Sequence, residues 1–168
     1  SAYLTECDQG VYGGIVGGEV RYMCMSQMGW ISSMVPPILN DWRDFDSLEI
    51  DTHSLIYKRF RTQLDMFADK SNKKFGISHF ILIDSLNFGF ELMGATETYM
   101  LMIESPDLLK RVIDFAFEVN VLVQDVFFDA GVLYNGGTCS NMFQWVPGRI
   151  VSESVDPFHM TSVDDFEK

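Results

Sequence analysis

Carboxylates and imidazoles follow several strand-like segments of this 168-residue chain. His79 lies near the end of one apolar segment with Asp84 just beyond it, whereas Asp156 and His159 follow another. Asp8 lies in a glycine-rich turn near the start of the chain. A carboxylate and an imidazole at one rim can share proton transfer, because histidine titrates near neutral pH. We therefore predict that Asp8, His79 and Asp156 are catalytic, and that Asp84 and His159 bind substrate.

Each of these residues also has a structural interpretation. A histidine at a strand end, such as His79, is often a hydrogen-bonded packing residue. Asp156 precedes Pro157 and suits a turn or a cap, and Asp84 suits the cap of a following helix. Cys139 is equally well interpreted as a small buried apolar group, because no nearby feature marks it as a thiolate. The sequence leaves both interpretations open.

Composition excludes several classes of function. The net charge of -12 argues against nucleic acid and anionic membrane surfaces as partners, since both attract basic proteins. No apolar run approaches the roughly 20 residues that cross a bilayer. The three cysteines, Cys7, Cys24 and Cys139, are widely spaced and form no motif typical of metal binding. We expect free thiols and a cytoplasmic location.

Short motifs of common enzyme classes are also missing from the sequence. The glycines of segment 13–18 precede a strand, whereas a dinucleotide-binding loop follows one. Neither Gly-x-Ser-x-Gly nor His-Glu-x-x-His occurs.

Strand-like and helix-like segments alternate along the chain. Strands are predicted at 19–25, 75–81 and 149–155, helices at 51–70, 84–93 and 105–131, and irregular segments at 26–47, 134–138 and 144–149. This order favours parallel βαβ units, and hence an α/β fold.

The helix at 105–131 carries the clearest boundary signals. Ser105 is a candidate N-cap, Pro106 occupies the first helical position, and Asp107 adds a favourable charge to the first turn. Gly131 is placed to end the helix. Another helix begins at Ser162 and has only a few residues before the sequence ends, so we expect the native protein to continue.

Several segments resemble the uroporphyrinogen decarboxylase family, whose relatives include corrinoid-linked methyltransferases. They are Leu-Met-Gly-Ala-Thr-Glu at 92–97, Ser-Pro-Asp-Leu-Leu-Lys-Arg-Val-Ile-Asp at 105–114, Asn-Gly-Gly-Thr at 135–138, Trp-Val-Pro-Gly-Arg at 145–149 and Ser-Val-Asp-Pro-Phe at 154–158. The resemblance implies part of a TIM (β/α)8 barrel with parallel strands and flanking helices. It also implies a single domain over residues 1–168, incomplete at both ends.

The resemblance also implies roles for individual residues. Asp8 stands where the family keeps its catalytic aspartate, and Phe90 where a tyrosine contacts the substrate. Asp156 replaces a serine, as in more diverged members. Trp145 and Arg149 belong to the loop before a barrel strand, so we predict that they bind substrate. The zinc ligands of the methyltransferases would lie beyond residue 168, so we expect no cofactor within this chain.

Three functions follow as hypotheses. The first is a diverged methyltransferase that moves a methyl group to or from a corrinoid or a small methylated substrate, with a corrinoid protein as a candidate partner. The second is decarboxylation of the tetrapyrrole uroporphyrinogen, whose many carboxylates need cations, and Arg21, Arg43 and Arg149 are the candidates. The third is a noncatalytic fragment or interaction piece, for which a homodimer is one arrangement.

Overall fold

The chain forms a mixed α/β structure. The computed structural model describes residues 2–3, 9–25, 30–140 and 142–167. Its helices are α1 (Gly10–Ile15), α2 (Leu55–Ser71), α3 (Ser85–Met93), α4 (Ala95–Glu104), α5 (Pro106–Asp129) and α6 (Val163–Phe166). Its strands are β1 (Ala2–Tyr3), β2 (Arg21–Met25), β3 (Trp30–Met34), β4 (Ile77–His79), β5 (Leu82–Ile83), β6 (Gly137–Ser140), β7 (Gln144–Pro147) and β8 (Glu153–Ser154).

Parallel pairing dominates the two sheets that contain the central strands. The four-stranded sheet has the order β1-β4-β6-β7, in which β1, β4 and β6 run parallel and β7 returns antiparallel to β6. A few residues after β4, β5 pairs in parallel with β8. The predicted α/β class is therefore confirmed, although the described strands do not close into a barrel.

The strand predicted at 19–25 forms, but it does not join the parallel sheet. It pairs antiparallel with β3, which lies in the segment 26–47 that we predicted to be a loop. The buried Ser33 of β3 accepts a hydrogen bond from the Gly10 backbone N–H at 3.1 Å, which ties this hairpin to α1. The same segment also contains a 3₁₀ helix, Trp42–Ser47.

Pro106 and Gly131 lie at the helix ends where the sequence predicted them, whereas the predictions for Ser105 and for the start of α2 are corrected. Pro106 begins α5 and Gly131 follows it with a φ of 75°, but the Ser105 side chain makes no capping bond. Helix α2 begins later than the predicted residue 51, because Ser54 caps it by accepting the Tyr57 N–H at 3.2 Å.

Helix α4 is absent from the sequence prediction. Gly94, with a φ of 89°, ends α3 and immediately precedes α4, so a single residue separates the two helices. A glycine that ends one helix gives no sign that the next begins directly after it.

The hairpin of β6 and β7 was predicted as a turn and a loop. Gly137 allows close approach here: a Cβ at this position would overlap the indole ring of Trp145. The indole also donates a hydrogen bond to the Tyr134 carbonyl at 2.8 Å. The later strand prediction at 149–155 was too long, since only Glu153–Ser154 is a strand.

A largely aromatic core joins the helices to the central strands. Phe60 of α2, Phe127 of α5 and Tyr12 of α1 all contact Phe80, which follows β4, and the four side chains are fully buried. No helix in the described residues is both long enough and apolar enough to span a membrane.

The close contact between Gly76 and Cys139 can be tested by substitution. Replacing Gly76 with alanine would press the new methyl group against the Cys139 sulfur, because the space beside Gly76 is already filled. We expect a loss of about 1–3 kcal/mol in the free energy of unfolding, measured by urea denaturation. The same substitution in a Cys139→Ala background should cost less. Equal costs in both backgrounds would contradict the described contact.

Candidate functional site

Asp84 anchors a polar cluster where β5 ends. Its carboxylate caps α3, with Oδ1 accepting from the Leu86 and Asn87 amides at 2.8 and 3.1 Å. Its Oδ2 accepts from the Asn87 side chain at 2.6 Å. Burial raises the pKa of Asp84, and the hydrogen bonds to Asn87 and Leu86 oppose that rise. The capping prediction is confirmed.

Backbone pairing brings β8 and the residues after it to the same place. The Asp84 N–H donates to the Ser154 carbonyl at 3.3 Å, continuing the parallel pairing of β5 with β8. The Ser154 hydroxyl in turn donates to Asp156 Oδ2 at 3.0 Å. Asp156 is exposed and begins the 3₁₀ helix Asp156–Met160, in which His159 Nδ1 donates to the Asp156 carbonyl.

Tyr99 of α4 completes this cluster. Its hydroxyl donates to the Pro157 carbonyl at 2.9 Å, and its ring meets Phe90 of α3 edge-on at 5.4 Å between centroids. Desolvation and the negative charge of Asp84 both raise the pKa of Tyr99, with desolvation the larger cause. The same two causes raise the pKa of Glu153 in β8.

We call this group the rim cluster. It comprises Asp84, Asn87, Phe90, Tyr99, Glu153, Ser154, Asp156 and His159. Four residues of the sequence prediction thus come together, namely Asp84, Phe90, Asp156 and His159. Carboxyl groups with raised pKa values can hold a proton closer to neutral pH, as general acids require. Tyr99 was not predicted because helix α4, which carries it, was missed. Glu153 was not predicted because a strand pattern does not show which side chain shares the environment of Asp84.

His79 lies away from the rim cluster. The chain continues from β4 through two residues into β5, so Asp84, five residues later, is the residue at the strand end. His79 is fully buried and packs against the rings of Phe80, Phe127 and Phe128, with centroids 5.0–5.9 Å away. This environment suits the structural interpretation of His79 as a packing residue.

A single proton arrangement fits His79. Its Nε2 lies 2.6 Å from Gln124 Oε1, and because an amide oxygen only accepts, Nε2 carries the proton. Its Nδ1 is buried and has no hydrogen-bond partner in the described part of the chain. Burial lowers the pKa of His79, and the Gln124 bond only partly opposes this. The folded protein therefore holds a neutral imidazole.

Two buried amides of α5, one turn apart, hold the strand that leads to the rim. Gln124 binds His79 and also donates to the Tyr12 hydroxyl at 3.1 Å. Asn120 donates to the Ile83 carbonyl at 3.3 Å. Ile83 directly precedes Asp84, so α5 determines where the rim cluster begins.

The remaining predicted residues lie elsewhere. Asp8 falls outside the described residues. Trp145 is 44% exposed and lines a cavity beside the β6–β7 hairpin. Arg149 stacks over Phe128 at 5.6 Å and lies 3.7 Å from Asp129 Oδ1. Neither Trp145 nor Arg149 contacts the rim cluster.

Glu91 of α3 is a buried acid that the sequence analysis missed. It is 7% exposed, and its Oε2 has no hydrogen-bond partner in the described ranges. Burial raises the pKa of Glu91 to about 8, although the backbone N–H groups of Gly13 and Val35 oppose the rise. Its position directly before Leu92, within the apolar face of the helix, was the available signal.

Within residues 2–3, 9–25, 30–140 and 142–167, no three His, Cys, Asp or Glu side chains group so as to hold a metal ion. Comparisons of the chain with protein-family models, with curated proteins and with solved structures find no match. The resemblance to the uroporphyrinogen decarboxylase family remains a prediction.

The neutral state of buried His79 predicts acid sensitivity. Its folded pKa lies below the ordinary 6.5, so the unfolded chain binds the extra proton first as pH falls below 6.5. The free energy of unfolding should therefore fall from pH 6.5 towards the lowered folded pKa. His79→Gln should reduce this loss, whereas His53→Gln, at an exposed position, should not. Identical pH profiles for the wild type and His79→Gln would contradict the assignment.

The protonated state of Glu91 predicts that the free energy of unfolding falls as pH rises, the opposite of the trend predicted for His79. The folded state keeps its proton up to about pH 8, whereas the unfolded chain loses it near 4.5. Stability should therefore fall across that window as pH rises, by at most about 1.4 kcal/mol per pH unit. Glu91→Gln should flatten the profile between pH 5 and 8 in urea denaturation. The exposed control Glu104→Gln should leave it unchanged, and a slope retained in Glu91→Gln would refute this account.

Proposed function

We propose that this chain is part of an enzyme similar to the uroporphyrinogen decarboxylase superfamily, with its chemistry at the rim cluster. We further propose that it is a diverged methyltransferase, moving a methyl group to or from a corrinoid or a small methylated substrate. Parallel pairing of β5 with β8, and the acidic groups that follow both strands, support a site at this end of the strands. Sites in barrel enzymes occupy the carboxyl ends of parallel strands.

The rim cluster offers a proton donor suited to methyl removal. When a methyl group leaves a heteroatom as a cation equivalent, the electron pair of the broken bond stays on the heteroatom. Protonation of that atom makes it a better leaving group. Glu153 is suited to this role, because it is exposed and its pKa is raised by desolvation and by Asp84. Asp156, held by Ser154, would orient the substrate.

The pairing of the arginines favours methyl transfer over decarboxylation of uroporphyrinogen. Arg21 pairs with Glu19 at 3.0 Å and Arg43 with Asp41 at 2.6 Å, whereas Arg149 lies beside Asp129. In the described part of the chain, none of the three contacts the rim cluster. A polycarboxylate would need cations there, and these arginines are turned to acidic neighbours. The absence of these arginines from the rim cluster is the observation on which we prefer methyl transfer to decarboxylation.

The test follows both reactions with the same protein. One assay mixes the protein with cob(I)alamin and a panel of methylated thiols and amines, and measures methylcobalamin. The other supplies uroporphyrinogen and measures CO₂. We expect methylcobalamin formation that Glu153→Gln reduces by about 10²-fold, the lower end of general-acid effects. Glu104→Gln, an exposed change outside the rim cluster, should retain the rate.

The other outcomes separate the alternatives. CO₂ release without methyl transfer would overturn the proposal in favour of the decarboxylase. If folded protein catalyses neither reaction and its melting temperature rises with protein concentration, it is an interaction piece. Methyl transfer that Glu153→Gln leaves unchanged would remove Glu153 from the mechanism.

A further inference from the structure

A cavity of about 830 Å³ lies beside the β6–β7 hairpin. Its volume falls within the roughly 300–1,000 Å³ of typical small-molecule sites. The residues around it come from the turn before β4, the turn before β6, and the two strands of the hairpin. None of them belongs to the rim cluster.

The floor of the cavity is closely packed and uncharged. Gly76 lies directly against the Cys139 sulfur, without room for a Cβ. Cys139 is 7% exposed, and burial raises the pKa of its thiol. A neutral thiol and a bare backbone segment suit contact with the apolar edge of a ligand, not with a charge.

One wall is a fixed aromatic surface. The indole of Trp145 packs over Gly137, and its N–H is held by the Tyr134 carbonyl at 2.8 Å. The ring is nevertheless 44% exposed. A rigid and exposed indole loses little conformational entropy when a flat ring stacks on it. Phe75, 39% exposed, adds a second aromatic side chain.

The mouth of the cavity carries a cation and two amides. Lys74 is exposed, and none of the ion pairs among the described residues includes it. Asn135 and Gln144, both exposed, also line the cavity. The net charge of the chain is -12, so a cation that has no acidic partner among the described residues is a distinctive feature beside an aromatic wall. Together these groups match a ligand that is flat, aromatic and anionic.

Backbone conformation gives a further indication that this cavity is a ligand site. The non-glycine residues of the described part with left-handed φ values are Asn72, Lys73, Asn135 and Gln144. Two of them, Asn135 and Gln144, line this cavity, whereas Asn72 is the C-cap of α2 and Lys73 follows it. Such conformations cost free energy and tend to accumulate at ligand sites.

We propose that this cavity is a second ligand-binding site, specific for a planar aromatic carboxylate that stacks on Trp145 and pairs with Lys74. The amides of Asn135 and Gln144 hydrogen-bond the ligand edge, and the Gly76–Cys139 floor limits its thickness. This site does not depend on the reaction at the rim cluster.

Calorimetric titration with 2-naphthoate, and with neutral 2-naphthamide of the same shape, tests the proposal. We expect saturable binding of naphthoate that Lys74→Gln weakens about tenfold, the effect of one charge-assisted hydrogen bond. Binding of the amide should be unchanged in Lys74→Gln. Lys73→Gln, the neighbouring control outside the cavity, should bind naphthoate like the wild type.

The indole is tested separately. Trp145→Leu should weaken both ligands, whereas Trp42→Phe, far along the chain, should weaken neither. Thermal melting checks that Trp145→Leu remains folded; if it does not, the Lys74→Gln arm decides alone. Absence of saturable binding by the wild type, or equal loss of acid and amide in Lys74→Gln, would overturn the proposal.

Discussion

Two buried amide side chains of α5 hold the strand segment from which the candidate site is built. Gln124 and Asn120 of α5 are buried one turn apart, and they bind His79 and the Ile83 carbonyl. Buried polar groups are costly unless paired, so the hydrogen bonds of Gln124 and of Asn120 Nδ2 hold these partners in place. Asn120 Oδ1 has no hydrogen-bond partner among the described residues. The strand segment between His79 and Ile83 leads directly to Asp84. Buried hydrogen bonds from α5 therefore help to position Asp84, the first residue of the rim cluster.

Asp84 shows how structural and functional interpretations of one residue can coincide. Its carboxylate caps α3, and its backbone N–H extends the pairing with β8. The cap holds the carboxylate in a partly desolvated place. Desolvation, and to a smaller extent the Asp84 charge, raise the pKa values of Tyr99 and Glu153. A residue needed for folding thus creates the electrostatic environment that proton transfer requires.

The sequence revealed helix ends better than strand partners. Pro106 and Gly131 enclose α5, and Asp84 caps α3, because these signals act within one turn of chain. The hairpin of β2 and β3 and that of β6 and β7 were missed, since pairing depends on distant contacts such as Ser33 with Gly10. The site was predicted in part for the same reason. His79 was expected at the rim because the pattern does not show that the strand continues into β5.

The parallel pairing of β5 with β8 brings Asp156 and Glu153 to Asp84, and the candidate site exists only if that pairing forms. NMR of the isotopically labelled chain tests it directly, through nuclear Overhauser contacts between amide and α protons. We predict contacts from the amide protons of Leu82 and Asp84 to the α protons of residues 153–155. An antiparallel pattern, or contacts from these amides to a different segment in place of 153–155, would contradict the account.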